Sequence, residues 1–259
     1  MTETGIASVV TKGLGRCLSI TFPPAVGRLF SEAVKPEPNF KVIADTIALD
    51  PGLTASILSL VNSTYYAVAQ EVTDLQRAAV VLGTKDLIKL VISVTLHNHL
   101  FKAHPELEEI FYENWRAVTW SAISAEEIAT RICPDKAGLA YLCTLLKDLS
   151  LLLGLSCEEM ELFSPKGEDL LVCLRPGQMA SESQKWGQSH PELTWELAKF
   201  LKFPEELSDA ILHHHDVDGM DKVVCDSLGN AQLYPDPTGP ATYSNISDID
   251  LGDFLDTIF

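Results

Sequence analysis

Apolar residues recur along this chain at three- and four-residue intervals, and no segment shows sustained two-residue alternation, so the pattern predicts helices and no sheet. Residues 5–18 place Ile6, Val9, Val10, Leu14, Cys17 and Leu18 on one helical period, weakened near its end by Gly13 and Gly15. Phe22-Pro23-Pro24 breaks that helix, and residues 25–34 restart one. Asn39 is placed to cap a helix that carries Phe40, Ile43, Ala44 and Ile47 on one face. The next helix is marked at both ends. Asp50 is a good N-cap, Pro51 fits the first helical position, Leu53, Ile57, Leu60 and Val61 share a face, and Asn62-Ser63 is expected to end it in a left-handed turn.

Thr73 with Gln76 reads as a capping box for a helix ending at Gly83, a left-handed stop. Thr84 is placed to cap a helix with Leu87, Leu90, Val91 and Val94 inward. A long helical stretch covers 105–132, and Pro134 restarts the chain. Residues 139–153 are apolar on nearly every side and are expected to form one central buried helix. Residues 190–200 and 204–213 complete the helical set, the second with Leu207, Ile211 and Leu212 inward. The expected architecture is all-α: an N-terminal helical lobe over 1–103, a second lobe over 104–228, and a linker with an acidic tail over 229–259. In that tail Leu251, Phe254, Leu255, Ile258 and Phe259 form an apolar stripe, so 247–259 is read as a docking helix for a groove on its own chain, on a second copy of the chain or on a partner.

Composition narrows the function classes. With 259 residues and 46% hydrophobic content the chain can bury a sizeable core, and its net charge of −17 disfavours nucleic-acid and acidic-membrane partners. The N-terminus lacks the basic lead of a secretion signal, and the six cysteines show no C-x-x-C pair, so a cytoplasmic protein with reduced thiols is expected. Neither a Ser or Cys nucleophile signature nor a phosphate-cradling Gly-rich loop is present.

The stretch Asp50-Pro51-x-Leu53 … Ile57-Leu58 … Asn62-Ser63-x-Tyr65-Tyr66 resembles the signature of the HDOD family. Phe22-Pro23-Pro24 before it and Ala78-Ala79-Val80-Val81-Leu82-Gly83 after it extend the likeness, which runs from about Ser19 to Asp226. The resemblance implies an all-helical signalling module, distantly related to HD phosphohydrolases. Those enzymes hold metal through a first His, a His-Asp pair and a distant Asp. Carried over residue by residue, the first position is Trp120, the pair is Lys147-Asp148, and the last is Asp226. An indole does not ligate a metal and a protonated lysine repels one. The resemblance therefore implies a pseudo-enzyme with no metal and no cofactor, acting on protein partners or sensing a small ligand. The alternative is a metal-dependent phosphohydrolase acting on nucleotides or cyclic dinucleotides.

Lys147 and Asp148 have two readings: a solvated helix face, or a buried pair whose ammonium replaces the charge of a lost metal. His213-His214-His215 resembles a metal cluster. Consecutive residues on a helix point about 100° apart, however, which argues against convergence on one ion. Capping of a helix C-terminus suits them better. His190 reads as a structural hydrogen-bonder, and with His213 and His214 it marks a candidate polar pocket.

Overall fold

The computed structural model describes residues 26–63, 66, 68–101, 108–151, 182–184 and 187–215. The described residues form nine α-helices of eight residues or more and no strand, so the chain is all-α. In order these are α1 (Val26–Ala33), α2 (Phe40–Ile47), α3 (Pro51–Val61), α4 (Leu75–Leu82), α5 (Thr84–Phe101), α6 (Glu108–Ile132), α7 (Ala137–Leu146), α8 (His190–Phe200) and α9 (Glu205–Leu212), with a 3₁₀ turn at Pro134–Lys136. Asp226 and the tail 247–259 lie outside the described residues, as do 1–25 and the lobe boundary expected near 103.

Local chemistry explains most helix ends. Asn39 Oδ1 accepts from Lys41 N–H at 3.0 Å, and Asp50 Oδ1 accepts from Leu53 N–H at 3.0 Å, with Pro51 at the first position of α3. Asn62 ends α3 differently from the expectation. Its φ is −85°, in the right-handed region, so no left-handed turn is present. Its side chain instead clamps Val72: the amide donates to Val72 C=O at 2.8 Å, and Oδ1 accepts from Val72 N–H at 2.7 Å. That pairing needs a donor and an acceptor on one short side chain, which an amide supplies. Ser63 follows, half-buried, its N–H donating to Leu60 C=O.

Three further expectations are corrected. Asp74, not Thr73, caps α4, through Arg77 N–H at 2.7 Å, because its carboxylate is the one positioned over the first turn. Gly83 has the positive φ expected, 84°, but a ψ of 153°, so it is an extended link rather than a left-handed helical stop. Thr84 is the first residue of α5 rather than its cap, and Gly83 C=O accepts from Leu87 N–H.

α5 packs against α1, α2, α3 and α4, while α7 lies against α6, α9 and α1. One apolar cluster runs through all of these, from Leu29 to Ile211. Small residues let α6 and α7 approach: Ala125 and Ala129 face Ala137 and Ala140. Gly138 does the same for α1 and α7, since a Cβ there would lie 2.3 Å from Ala33 O. No single described helix is long and apolar enough to cross a membrane.

Candidate functional site

The central helix α7 is buried on every face, as its sequence implies, but it does not run through 139–153. It ends at Leu146, Lys147-Asp148 form a turn, and residues 149–151 resume helical geometry. The reason lies across the fold. Ser150 N–H donates to Thr194 Oγ1 at 3.3 Å, and Ser150 Oγ donates to His190 C=O at 3.2 Å. With that N–H engaged by α8, the ladder of α7 is interrupted and the chain turns Lys147 and Asp148 toward the start of α8.

Asp148 is buried, at 7% side-chain exposure, and Lys147 is mostly covered, at 12%, so the pair is not on a solvated helix face. The Lys147 ammonium pairs with Asp148 Oδ2. Asp148 Oδ1 faces two rings, 3.3 Å from His190 Nε2 and 3.7 Å from His214 Nε2. His190 opens α8 behind Ser189, whose backbone N–H Glu192 receives in a capping box. Glu182 Oε2 holds His190 from behind, accepting from its backbone N–H at 2.9 Å and from Nδ1 at 2.7 Å. Glu182 Oε1 is buried and has no hydrogen-bond partner among the described residues.

The histidine run at the end of α9 is not helical. α9 stops at Leu212, and residues 213–215 form a turn, so the 100° argument does not apply to them. His213 is the C-cap of α9, its N–H on Asp209 C=O. His214 and His215 swing together, ring centroids 4.2 Å apart, and set their Nε2 atoms 3.2 and 3.1 Å from His190 Nε2. The cluster is therefore His190, His214 and His215, with His215 replacing the expected His213.

Hydrogen placement follows from the partners. Glu182 and the Ile211 carbonyl only accept, so the His190 and His214 protons sit on Nδ1, the latter 2.7 Å from Ile211 O. In the neutral rings both Nε2 lone pairs then point inward at each other. A cation at that point, either a proton on one ring or a metal ion, removes the clash. Imidazoles whose far N–H is held by a carboxylate or a carbonyl are the usual form of metal-ligating histidine. These three nitrogens fit a single imidazole-preferring cation.

Electrostatics sharpen this. Burial pushes the Asp148 carboxyl up, but Lys147, then His214, His190 and the hydrogen bond from Lys147, outweigh it and hold Asp148 well below the usual carboxylate range. Burial pulls the His214 ring down to about 3, with Lys147 and His215 acting the same way against Asp148 and the Ile211 carbonyl. Since that ring is uncharged at neutral pH, Lys147 is the stronger support for the Asp148 charge there. Burial, then His190 and Lys147, lower His215 as well. Burial pushes the Cys143 thiol, one turn before Lys147, up to about 12, so it is an inert core group.

Of the other expected positions, Trp120 lies on α6, with its side chain outside the described residues, and Asp226 is likewise outside. Asp50, Pro51, Asn62, Ser63 and Gly83 belong to the N-terminal helices and serve their packing, away from the histidine cluster. Sequence reasoning missed Glu182, for which periodicity offers no signal. It also missed His215, whose signal was the histidine run itself.

The HDOD domain profile matches residues 20–217. Among curated proteins none matches the chain. Solved structures similar to it share its fold. A candidate signal transduction protein from Marinobacter aquaeolei VT8 is 20% identical with a TM-score of 0.63, over 90% of this chain and 57% of that one. The chain thus spans little more than half of the Marinobacter protein's length. A candidate phosphohydrolase from Shewanella amazonensis SB2B is 20% identical with a TM-score of 0.59, over 91% and 88% of the two chains. An HDOD domain protein of unknown function from Geobacter sulfurreducens is 18% identical with a TM-score of 0.53, over 97% and 89%. The all-helical fold, the clamped Asn62, the Gly83 link and a profile match spanning most of its length agree: the chain belongs to the HDOD domain family.

Proposed function

We propose that this chain is a non-catalytic regulatory module, cytoplasmic, acting through protein partners or through a small ligand rather than by hydrolysis. The observation that carries the reading is the buried Lys147–Asp148 pair. A metal-dependent hydrolase of the related HD type needs Asp148 as a metal ligand and an imidazole where Lys147 stands. An ammonium already neutralises that carboxylate, and a divalent cation arriving there would face a like charge at close range. The likeness to a candidate signal transduction protein supports the same reading, and the net charge of −17 supports a partner other than nucleic acid or an acidic membrane. Self-association through 247–259 is part of the proposal. The test is to incubate the purified chain with manganese or iron and a cyclic dinucleotide. The expected outcome is no turnover, whether or not elemental analysis finds metal at the histidine cluster.

A second reading, a metal-dependent phosphohydrolase acting on nucleotides or cyclic dinucleotides, is favoured by the convergence of His190, His214 and His215. Two Shewanella amazonensis SB2B proteins described as candidate phosphohydrolases share the fold. About one bound metal per chain, with turnover abolished by His190→Ala, would establish it over the first.

A further inference from the structure

A separate cavity, about 300 Å³ in volume, shares no lining residue with the histidine cluster. Its walls come from the turn between α1 and α2, from α5, from α6 and from the start of α7. The size is at the lower end for small-molecule sites. The walls are set before any ligand arrives. Pro36 and Pro38 restrict the turn. Glu32, 5% exposed, clamps it: Oε2 accepts from Asn39 N–H at 2.8 Å and Oε1 from the Lys35 ammonium at 2.6 Å. On the other side Gly138 lets α7 close against Ala33.

The lining carries both signs of charge. Lys89 lies between Asp86 Oδ1 at 2.7 Å and Glu126 Oε2 at 2.9 Å, with its ammonium 5.7 Å from the centroid of the Tyr141 ring. One ammonium serves two carboxylates there, so that wall keeps a net negative charge, and Asp135 adds to it. Lys35 and Lys85 supply cations from the turn and from the start of α5. Lys85 and Asp135 are exposed and make no ion pair with the described residues. Pro36, Pro38 and Ile88 provide apolar surface beside these charges.

We propose that this cavity binds a small zwitterion with an apolar body, of the free α-amino-acid class. The ammonium sits on Glu126 and Asp135, the carboxylate on Lys85 and Lys35, and the side chain against Pro36, Pro38 and Ile88. A simple anion would meet Asp135 and the charge that Lys89 leaves unbalanced between Asp86 and Glu126, and a simple cation would meet Lys85. The proposal deepens the regulatory reading and rests on it. A ligand in this seat touches α1 and α5 on one side and α6 and α7 on the other, so its binding energy is available to alter how they pack.

Calorimetric titration of the full chain tests it, with L-leucine and L-phenylalanine as probes and isocaproate and isopentylamine as single-charge analogues. The expected result is saturable binding of at least one amino acid, with both analogues weaker by about tenfold or more. Lys85→Ala and Asp135→Asn, both at exposed positions, should each weaken that binding by about tenfold with unchanged thermal melting. No saturable binding of either amino acid, equal binding of an analogue, or wild-type affinity in both variants overturns the proposal. Turnover of a cyclic dinucleotide would instead remove the regulatory reading, so the two failures are distinguishable.

Discussion

Asp148 is held by one strong partner and several weak ones, and the difference predicts what mutation does. Lys147 supplies the adjacent charge, whereas His190 and His214 stand 3.3 and 3.7 Å from Oδ1. Removing Lys147 leaves a buried carboxylate without its counter-charge, which typically costs about 3–5 kcal/mol. Lys147→Met should therefore lower the unfolding free energy by that amount, and adding Asp148→Leu should recover most of it. A single variant as stable as the parent in urea titration would show that the pair is not coupled. His214 gives a second test. Its folded value of about 3 lies below the value of about 6.5 for an unfolded ring. Between those values the unfolded chain binds one more proton than the folded chain, so stability is lost as pH falls through that window and the ring adds no slope above it. Asp148 acts lower: its stabilisation is present above the unfolded value of about 3.9 and lost as pH falls through its depressed folded value. Urea midpoints of the parent and of His214→Gln, compared from pH 7 to pH 4, should diverge by about 1 kcal/mol per pH unit below pH 6.5. Parallel curves would refute the assignment.

At the scale of the helix, two signature residues that look alike in sequence do different amounts of structural work. Asp50 caps α3 through one bond to Leu53 N–H, and Asp50→Ala should cost about 0.5–2 kcal/mol. Asn62 satisfies both backbone groups of Val72, a residue 1% exposed. Its loss orphans two buried groups at about 1–3 kcal/mol each, so Asn62→Ala should be the more damaging of the two by urea titration. The caps at Asn39 and Asp50 were legible because capping depends on residues within one turn. The cap of α4 was misread because Thr73 and Asp74 are adjacent and both capable, and only backbone direction chooses between them. The break after Leu146 was not legible at all, since its cause is a contact between Ser150 and Thr194, 44 residues apart. The end of α9 carries no Gly or Pro to announce it. The histidine run was therefore laid out as a helix, and His213 stood in the expected pocket with His190 and His214 where the fold puts His215.

For the whole molecule, the all-α architecture was legible because helical periodicity repeats in every long segment, whereas the relation of the two expected lobes is a matter of long-range packing. The buried apolar cluster does not divide at the expected boundary: it includes Leu29 and Phe30 of α1, Leu87 and Val91 of α5, Leu142 and Leu146 of α7, and Leu207 and Ile211 of α9. α1 is the joint. Its Gly27 lies where a Cβ would come within 2.8 Å of Leu201 O beyond α8, its Phe30 ring stands 4.3 Å from the Phe203 ring, and its last residue meets Gly138 of α7. A core shared in this way should lose its packing at once, because exposing either part strips apolar surface from the other. Helical circular dichroism, which reports all the helices, and the fluorescence of Trp195 on α8, isolated by replacing the other three tryptophans with phenylalanine, should give coincident urea transitions. Gly138→Ala forces Ala33 and α7 apart and should shift both midpoints together, by an amount corresponding to about 1–3 kcal/mol. A fluorescence transition that stays in place while the circular dichroism transition moves would show that α8 and α9 fold independently of α1, and that the first helix is a tether rather than the joint of a single core.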